Sequence, residues 1–436
     1  HFLLAIDGPA GTGKTTSARL VAERLGFAYI DSGALYRAIA VAARARGIDS
    51  PEDGRLRPLL MNLPLRAKAA RDGFRVYLGG EEVTTELRDP RVSALASKLA
   101  VDPSVRGRVE AWLKELAGLG PSVVEGRDIG TDVFPGADLK IFLTASLEAR
   151  AERRSLELRE KGLDASAEDV AAAIVERDRR DSERSVAPLR QAPDAVVIDT
   201  TALDVEGQIL RILGAWERFR PRRPRFFYRI EQWSIRTFAG LFWGLRVEGA
   251  ERVPRGGPVI LAANHKSYLD PPLIGALLPR EIHYLAKRQL FDVPLFGAWV
   301  RASNAIPIDR EGFDRRGIER ALETIRAGNA LLVFPEGTRI RREGLGPPKE
   351  GIAMLIARAG CAVIPVRLKG TWKGERRGAG RRGITVRFGE PLLFPPVPPG
   401  REGRSRFPEI AARVMESIAA AGAGRDEGPG RETGGG

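Results

Sequence analysis

The sequence predicts an α/β protein with two domains, and three observations lead to that prediction. The chain has 436 residues, too many for one ordinary hydrophobic core and suited to two domains of about 200 residues each. Short apolar strands alternate with helical patterns in both halves, which is typical of open, mostly parallel sheets. Between the halves, residues 218–229 read RFRPRRPRFFYR, and Pro221 in this run cannot continue the preceding helix.

We therefore expect four segments along the chain. Residues 1–217 and 246–420 are the two predicted domains, and residues 218–245 are a basic linker followed by an amphipathic helix. Residues 421–436 are low in complexity and rich in glycine, which predicts a disordered tail.

The elements of the first half follow in order from the N-terminus. FLLAID is an apolar strand, a glycine-rich loop comes next, and KTTSARLVAERL is a helix that Gly26 closes. RVYLGGEEV alternates apolar and polar residues around Gly79 and Gly80, which predicts a hairpin. PSVVEG, DLKIFLTA and VVIDTT are further buried strands, so this half should form a parallel α/β sheet.

The loop after the first strand matches the phosphate-binding pattern GxxxxGK[ST] completely. Its glycines let backbone N–H groups converge on phosphate oxygens, Lys14 reaches the terminal phosphates, and the Thr15 hydroxyl can ligate Mg²⁺. The full octamer between a strand and a helix predicts ATP or GTP binding. The predicted ATP-binding residues are Gly8, Pro9, Ala10, Gly11, Thr12, Gly13, Lys14, Thr15 and Thr16, with Lys14 also catalytic.

Four further stretches, DSGALYRA, ALASKLAVDPSVR, EGRDIGT and RDRRDSER, make the first half similar to bacterial cytidylate kinases. The resemblance implies a CMP site in which Ser97, Arg106 and Asp128 read the cytosine edge. It implies that Arg37, Arg127 and Arg184 hold the acceptor phosphate, and that Arg177 and Asp181 lie at the ribose. Tyr36 completes the implied set.

Phosphoryl transfer depends on positioning and on dense positive charge, and the arginine-rich stretch 150–184 offers both. We expect Arg153 and Arg154 to lie on a lid that closes over the phosphates. Arg150 and Arg159 are instead interpreted as part of a solvated helical face. Arg177, Asp181 and Arg184 have the spacing of one helical face, which favours a functional role.

The second half contains the strands PVILAA, NALLVFPEG and CAVIPVRLKG. Asn264 and His265 directly follow the first of these strands, and Asp270 lies five residues after the histidine. Residues five apart do not share a helical face, so a turn must bring His265 and Asp270 together. The aspartate would then orient the imidazole as a general base. Asp270 before Pro271 is equally what an ordinary helix N-cap looks like.

Four blocks in sequence make residues 245–400 similar to glycerolipid acyltransferases, particularly 1-acylglycerol-3-phosphate acyltransferase. The blocks are NHKSYLD, the stretch from AK to IPIDR, FPEGTR and VIPV. The resemblance implies that His265 is the base and Asp270 its orienter. It implies a lysophosphatidate site formed by Arg310, Glu336, Gly337, Thr338 and Arg339. The implied acyl donor is acyl-CoA or acyl-ACP, with acyl carrier protein then a partner.

The basic composition predicts an anionic partner. The formal charge is +14, and residues 225–245 combine arginines with an apolar helical arc that suits the interface of an anionic membrane. That arc contains Phe226, Phe227, Ile230, Trp233, Phe238, Leu241 and Leu245. A helix packed on its own domain would give the same pattern. The single cysteine and the absence of an apparent leader favour the cytoplasm, with peripheral contact at the inner face of the cell membrane.

The sequence thus predicts a bifunctional transferase that uses ATP and Mg²⁺. The kinase would convert CMP or dCMP to the diphosphate, and the acyltransferase would convert 1-acylglycerol 3-phosphate to phosphatidate. Another nucleoside monophosphate, another lysophospholipid or glycerol 3-phosphate remains an alternative acceptor. An alternative of another class is a basic nucleic-acid-binding P-loop protein. The chain has no aromatic-basic RNA-binding signature, so we predict no nucleic-acid partner.

Overall fold

A computed structural model describes most of the chain. It covers residues 1–70, 73–160, 166–184, 186–222, 224–309, 314–372, 383–398 and 400–422. The chain divides into two compact units, His1–Glu217 and Arg218–Gly436. Arg310 of the predicted lysophosphatidate site and residues 423–436 of the predicted tail lie outside the described residues.

The first half of the chain contains eight described strands and eight described α-helices. The strands are β1 (Leu3–Asp7), β2 (Ala28–Asp31), β3 (Leu65–Ala70), β4 (Gly73–Leu78), β5 (Glu81–Glu82), β6 (Ser122–Glu125), β7 (Leu139–Thr144) and β8 (Val196–Asp199). The helices are α1 (Lys14–Leu25), α2 (Ser32–Arg44), α3 (Leu56–Met61), α4 (Pro90–Leu99), α5 (Pro103–Gly118), α6 (Leu147–Glu160), α7 (Ala167–Glu183) and α8 (Val205–Phe219).

These strands form one sheet in the order β5-β4-β3-β2-β6-β1-β7-β8. Five neighbouring strands are parallel, namely β2, β6, β1, β7 and β8. The remaining strands, β3, β4 and β5, extend one edge of the sheet as an antiparallel meander. The carboxyl ends of β1, β2 and β6 meet at one edge, where a parallel α/β sheet presents its ligand site. The functional loops of this unit all leave from that edge.

Local sequence signals account for several of these elements. Gly26 ends α1 with a φ of 68°, and the Asp31 side chain caps α2 by accepting the Ala34 N–H at 3.0 Å. Gly79 and Gly80, with φ of 60° and 97°, form the two-residue turn between β4 and β5. The predicted hairpin is confirmed, as is the end of α8 before Pro221.

The second unit contains seven strands and seven α-helices among its described residues. The strands are β9 (Arg246–Glu248), β10 (Val259–Ala263), β11 (Ile282–Lys287), β12 (Ala305–Ile308), β13 (Ala330–Val333), β14 (Ala362–Lys369) and β15 (Thr385–Phe388). The helices are α9 (Phe226–Trp243), α10 (Asp270–Ala276), α11 (Phe296–Ala302), α12 (Arg315–Arg326), α13 (Gly351–Ala359), α14 (Arg401–Ser405) and α15 (Phe407–Ala421).

The second sheet has the order β12-β11-β13-β10-β14-β15-β9 and is parallel except where β15 pairs with β14. Helices cover both faces. One core contains residues of α9, α10 and α11, and the other contains residues of α12, α13 and α15. The last helix reaches Ala421, one residue into the segment predicted to be disordered. The predicted α/β fold class is confirmed for both halves.

No helix in the described part of the chain is both long and apolar enough to pass through a bilayer. The amphipathic segment forms α9, which packs on α10 and buries Tyr228 and Ala239. Leu245, predicted on the same helical arc, lies beyond the end of α9 and packs against the core.

Candidate active sites

The phosphate-binding loop connects β1 to α1 and presses against its neighbours. Gly8 has a φ of 149°, and a Cβ atom there would lie 2.1 Å from the Leu143 carbonyl oxygen of β7. Only glycine fits that approach. The strand–loop–helix context that the sequence predicts is therefore present, with the loop seated on the carboxyl end of the sheet.

Lys14 begins α1 and is buried. Its ammonium donates to the Pro9 carbonyl oxygen at 2.5 Å, so the loop's lysine bonds to the loop itself. Burial, followed by the nearby charge of Arg127, lowers the Lys14 pKa well below its ordinary value. The exposed Thr15 hydroxyl donates to Glu125 at 3.0 Å.

Two buried carboxylates that the sequence analysis missed lie beneath the loop. Glu125 ends β6 and Asp7 ends β1, two neighbouring parallel strands of the sheet. Burial raises the pKa of Glu125 to about 7, and burial raises that of Asp7 to about 6 although Asp7 accepts the Ile129 and Gly130 N–H groups. The sequence signal that could have identified Glu125 is an acidic residue at the end of a predicted strand that neighbours β1, the strand before the phosphate-binding loop.

Thr15 and Glu125 together fit Mg²⁺, which prefers oxygen ligands and is held by one or two carboxylates with substrate phosphates. Their oxygens are already 3.0 Å apart, and the hydroxyl is exposed to solvent. The pair therefore offers a donor set of the right chemistry at the end of the phosphate-binding loop.

The structure brings the predicted CMP residues together at the same edge of the sheet. Asp128 forms an ion pair with Arg106, and Arg184 lies 3.6 Å from its other oxygen. Tyr36 is close enough to all three that their charges act on its pKa, which burial raises to about 12. Arg37 pairs with Asp31 at 2.8 Å.

A second group of the predicted CMP residues faces the phosphate loop. Arg127 pairs with Asp181 at 2.9 Å. Although Arg177 as a residue is exposed, loss of solvation around its charged group lowers its pKa to about 10, and the charges of Arg127 and Arg37 act in the same direction. Arg177 and Asp181 lie on α7 as expected, but Arg184 caps the end of that helix in an extended conformation rather than continuing its face.

Ser97 is half-buried on α4, which packs against the helix that carries Tyr36. That position places it on a helix that packs beside the helix of Tyr36 and Arg37. The cytosine contact implied for Ser97 stays a prediction.

The lid arginines have protein partners in this structure. Arg153 donates to the Thr200 hydroxyl at 3.1 Å and to the Leu203 carbonyl at 3.2 Å, so it ties α6 to the loop after β8. Arg154 is exposed and pairs with Glu157. The interpretation of Arg150 as a solvated residue is wrong, because Arg150 is buried and forms an ion pair with Asp178.

In the second unit, Asn264 fixes the start of the histidine loop. Its buried side chain donates to the Leu368 carbonyl at 3.0 Å and accepts the Leu368 N–H at 2.7 Å. Leu368 lies on β14, the neighbour of β10 in the sheet. This two-way clamp sets the direction in which the chain leaves β10.

His265 and Asp270 meet across a turn. The imidazole Nδ1 lies 3.0 Å from Asp270 Oδ2, and the same oxygen accepts the Lys266 N–H at 2.6 Å and the Ser267 N–H at 2.7 Å. α10 begins at Asp270, so the carboxylate faces back over the turn rather than capping its own helix. The expected turn is confirmed, and a plain N-cap is not what this carboxylate forms.

The surroundings of His265 favour a general base. Its ring stacks on Phe334 with the centroids 4.0 Å apart and an interplanar angle of 22°. A carboxylate on Nδ1 holds the ring proton there and leaves Nε2 as the acceptor. Because Asp270 is fully buried and the ring is nearly so, the pair is screened from water.

The FPEGTR block forms a loop beside this pair. Glu336 is buried, and its two oxygens accept the His265 N–H and the Gly346 N–H, both at 2.7 Å. This use of both oxygens favours a positioning role over the substrate contact implied for Glu336. Thr338 is exposed, and the Arg339 guanidinium lies 3.5 Å above the Tyr268 ring and donates to its hydroxyl at 2.8 Å.

Lys266 is a third residue that the sequence analysis missed. Its side chain is 2% exposed, and its ammonium donates to the carbonyl oxygens of Arg342 and Gly344. It therefore joins the histidine loop to the segment after Arg339. In the sequence, a lysine next to His265 looks like an ordinary surface charge, and its carbonyl partners are visible only in the folded loop.

α9 presents an apolar surface to solvent. Its exposed large side chains are Phe226, Phe227, Ile230, Trp233, Phe238, Leu241 and Phe242. Arg229 and Arg236 are exposed on an adjacent side of the helix. α9 also packs on α10 of its own domain, and its contact with a membrane stays a prediction.

Comparison with known proteins gives a match for each half. The cytidylate kinase family model matches residues 4–217, and the acyltransferase family model matches residues 244–369. The cytidylate kinase of Shouchella clausii (strain KSM-K16) is 46% identical over 212 residues, which is 49% of this chain and 94% of that protein.

Two further matches involve a larger protein and a solved structure. The bifunctional pantoate ligase/cytidylate kinase of Synechococcus sp. (strain JA-3-3Ab) is 45% identical over 216 residues, 48% of this chain and 40% of that protein. The crystal structure of the 1-acyl-sn-glycerophosphate acyltransferase PlsC from Thermotoga maritima is 28% identical with a TM-score of 0.35, over 44% of this chain and 78% of that chain.

Proposed function

Because the first half of the chain belongs to the cytidylate kinase family and the second carries an acyltransferase domain, we propose a bifunctional enzyme with two sites. The kinase phosphorylates CMP and dCMP with ATP. The acyltransferase acylates 1-acylglycerol 3-phosphate to phosphatidate, with acyl-CoA or acyl-ACP as donor. Residues 1–217 and 246–420 are the two domains, and residues 218–245 are the basic linker and amphipathic helix between them.

In the kinase, the phosphate loop and Lys14 bind the phosphates of ATP, and Thr15 with Glu125 holds Mg²⁺. The metal supplies charge neutralisation at the transferring phosphoryl group. Arg37, Arg127 and Arg184 hold the acceptor phosphate so that its oxygen attacks in line, and Arg177 and Asp181 bind the ribose. The observation that supports this arrangement is the closeness of Arg127 and Arg177 to Lys14, since their charges lower its pKa.

In the acyltransferase, His265 Nε2 accepts the proton of the acceptor hydroxyl while that oxygen attacks the thioester carbonyl carbon. The tetrahedral intermediate then expels the thiol sulfur, and the imidazolium returns the proton to it. Asp270 stabilises the imidazolium and keeps Nδ1 protonated. Arg339 and Arg310 bind the acceptor phosphate, for which arginine's planar fork is suited. The 3.0 Å contact of His265 with Asp270 is the observation that carries this mechanism.

The test is an assay of both reactions with the purified chain and two variants. Lys14→Ala should abolish CMP-dependent ATP consumption and leave acyl transfer unchanged. His265→Ala should abolish acyl transfer and leave the kinase unchanged. ATP consumption by the wild type that prefers another nucleoside monophosphate, or acylation that prefers another lysophospholipid, would replace the acceptors named here.

We propose that α9 lies on the surface of an anionic bilayer and brings the acyltransferase to its lipid substrate. Support comes from its seven exposed apolar side chains and from the exposed arginines, whose charge complements anionic headgroups. The triple change of Phe226, Trp233 and Leu241 to serine should abolish co-sedimentation with phosphatidylglycerol vesicles. Met61→Ser, at an equally exposed apolar residue of the first unit, is the matched control. Equal sedimentation of both variants would contradict this role.

A further inference from the structure

Asp178 of α7 is bonded directly to the phosphate-binding loop. Its Oδ1 accepts the Ala10 N–H at 3.2 Å, and its Oδ2 forms the ion pair with Arg150. Arg150 in turn donates to the Ala10 carbonyl oxygen at 3.3 Å. Both polar groups of one loop residue are therefore bonded to α6 and α7.

The carboxylate of Asp178 takes a place that suits a phosphate. Loop N–H groups and arginines are the donors that bind phosphate oxygens, and here one of each is bonded to the same side chain. Lys14 is likewise turned onto Pro9 rather than outward. Two of the loop's donors, the Ala10 N–H and the Lys14 ammonium, are thus satisfied by groups of the protein itself.

Arg150 has capacity for a further partner. It is 9% exposed, and among the residues that the structure describes its Nε has no hydrogen-bond partner. A buried guanidinium with an unsatisfied donor costs free energy that an anion would remove. When phosphates of ATP enter the loop, their charge repels the carboxylate of Asp178 at the same donors.

α7 connects this contact to the acceptor site. Arg177 precedes Asp178 in the chain, and Asp181 follows it by less than one helical turn. Both belong to the group around Arg127, and the charge of Arg177 acts on Lys14. A shift of α7 at Asp178 therefore changes the position of residues assigned to CMP.

We propose that Asp178 is a positioning residue that occupies the phosphate loop in the nucleotide-free enzyme and is displaced by ATP. Arg150 then exchanges the carboxylate for a phosphate, and α7 moves Arg177 and Asp181 relative to the acceptor. ATP binding and acceptor binding are thereby coupled through one helix. This inference rests on the proposed kinase function.

The test measures binding of a non-hydrolysable ATP analogue with Mg²⁺ by calorimetry, first without and then with CMP. Asp178→Asn should bind the analogue about fivefold more tightly than the wild type, because a competing charge is gone. The wild type should bind CMP more tightly once the analogue is bound, and the variant should lose that dependence. Arg150→Met should weaken analogue binding. Glu176→Gln, at an exposed acid on the same helix, is the control and should match the wild type.

Unchanged or weaker analogue binding by Asp178→Asn would show that Asp178 only supports the loop, and would overturn the proposal. Asp178→Ser is the second variant should the asparagine fail to fold, and it carries the same expectation. Binding without CMP is independent of which acceptor the enzyme uses. A wild type that binds no nucleotide would contradict the kinase function itself, and this inference with it.

Discussion

The two active sites are assembled in different ways. The acyltransferase pair is local: His265 and Asp270 lie five residues apart, and one turn between β10 and α10 joins them. The kinase site is dispersed, because its arginines come from α2, α5, α7 and the loop after β6, and the Arg106–Asp128 and Arg127–Asp181 pairs each join separate segments. A local site depends on one contact, whereas a dispersed site depends on several charged groups that shift one another's pKa values.

The largest expected effect comes from a substitution that disrupts the contact between His265 and Asp270. Asp270→Asn keeps the shape but removes the charge that fixes the imidazole tautomer and stabilises the imidazolium. We expect kcat for acyl transfer to fall by about 10³-fold to 10⁴-fold, with kinase activity unchanged. Asp292→Asn, at an exposed acid of the same unit, is the control. A loss below tenfold would mean that His265 works without its aspartate.

A second prediction concerns the shared electrostatics of the dispersed site. The pKa of Glu125 is about 7 in the folded protein, above its ordinary value of 4.5. Its contribution to stability is therefore fully present below pH 4.5 and is lost as the pH rises through 7. The loss is on the order of 3 kcal/mol. Glu125→Gln should remove this part of the pH dependence of unfolding, measured by denaturant titration between pH 5 and 8.

The same titration carries a check on the metal assignment. Mg²⁺ binds the ionised carboxylate, so Mg²⁺–nucleotide affinity should increase as the pH rises through 7 in the wild type. In Glu125→Gln that increase should be absent. Equal pH dependence in the two proteins would remove Glu125 from the metal site.

The smallest expected effect concerns Lys266, whose hydrogen bonds join the histidine loop to a distant segment at Arg342 and Gly344. Lys266→Met leaves two carbonyl oxygens without their donor, which should cost about 1 to 2 kcal/mol and lower acyl-transfer kcat. Lys266→Arg should restore part of both. Arg341→Met, at an exposed cation of the neighbouring loop, should change neither unfolding free energy nor kcat. Equal unfolding free energy and equal kcat in the two methionine variants would mean that the hydrogen bonds of Lys266 support neither stability nor acyl transfer.

The sequence was sufficient where a function depends on contiguous residues. The loop from Gly8 to Thr15, the Gly79–Gly80 hairpin and the need for a turn after His265 all follow from local pattern, and the structure contains them. The resemblance to cytidylate kinases is confirmed, and the second half matches the acyltransferase family model. The roles of individual side chains at either site stay predictions.

Residues whose function depends on which strands are neighbours escaped the sequence analysis. Glu125 lies beside Thr15 because β6 pairs with β1 across more than a hundred residues of chain. Arg150 looked solvated because the α6 pattern does not show that Asp178 of α7 packs over it. Helical periodicity also placed Arg184 on α7, although the helix ends one residue earlier. Long-range pairing, rather than residue type, decided each of these cases.

The carboxylate of Glu336 has a consequence for how this enzyme can acquire new substrates. Its two oxygens accept the backbone N–H groups of His265 and Gly346, so the proposed base and the FPEGTR loop are held in a fixed relative position. Directed evolution toward a different acceptor can therefore vary Thr338 and Arg339 freely. Replacing Glu336 would displace both His265 and the FPEGTR loop, and would therefore impair reactivity and selectivity together. We expect active variants selected from such libraries to retain Glu336.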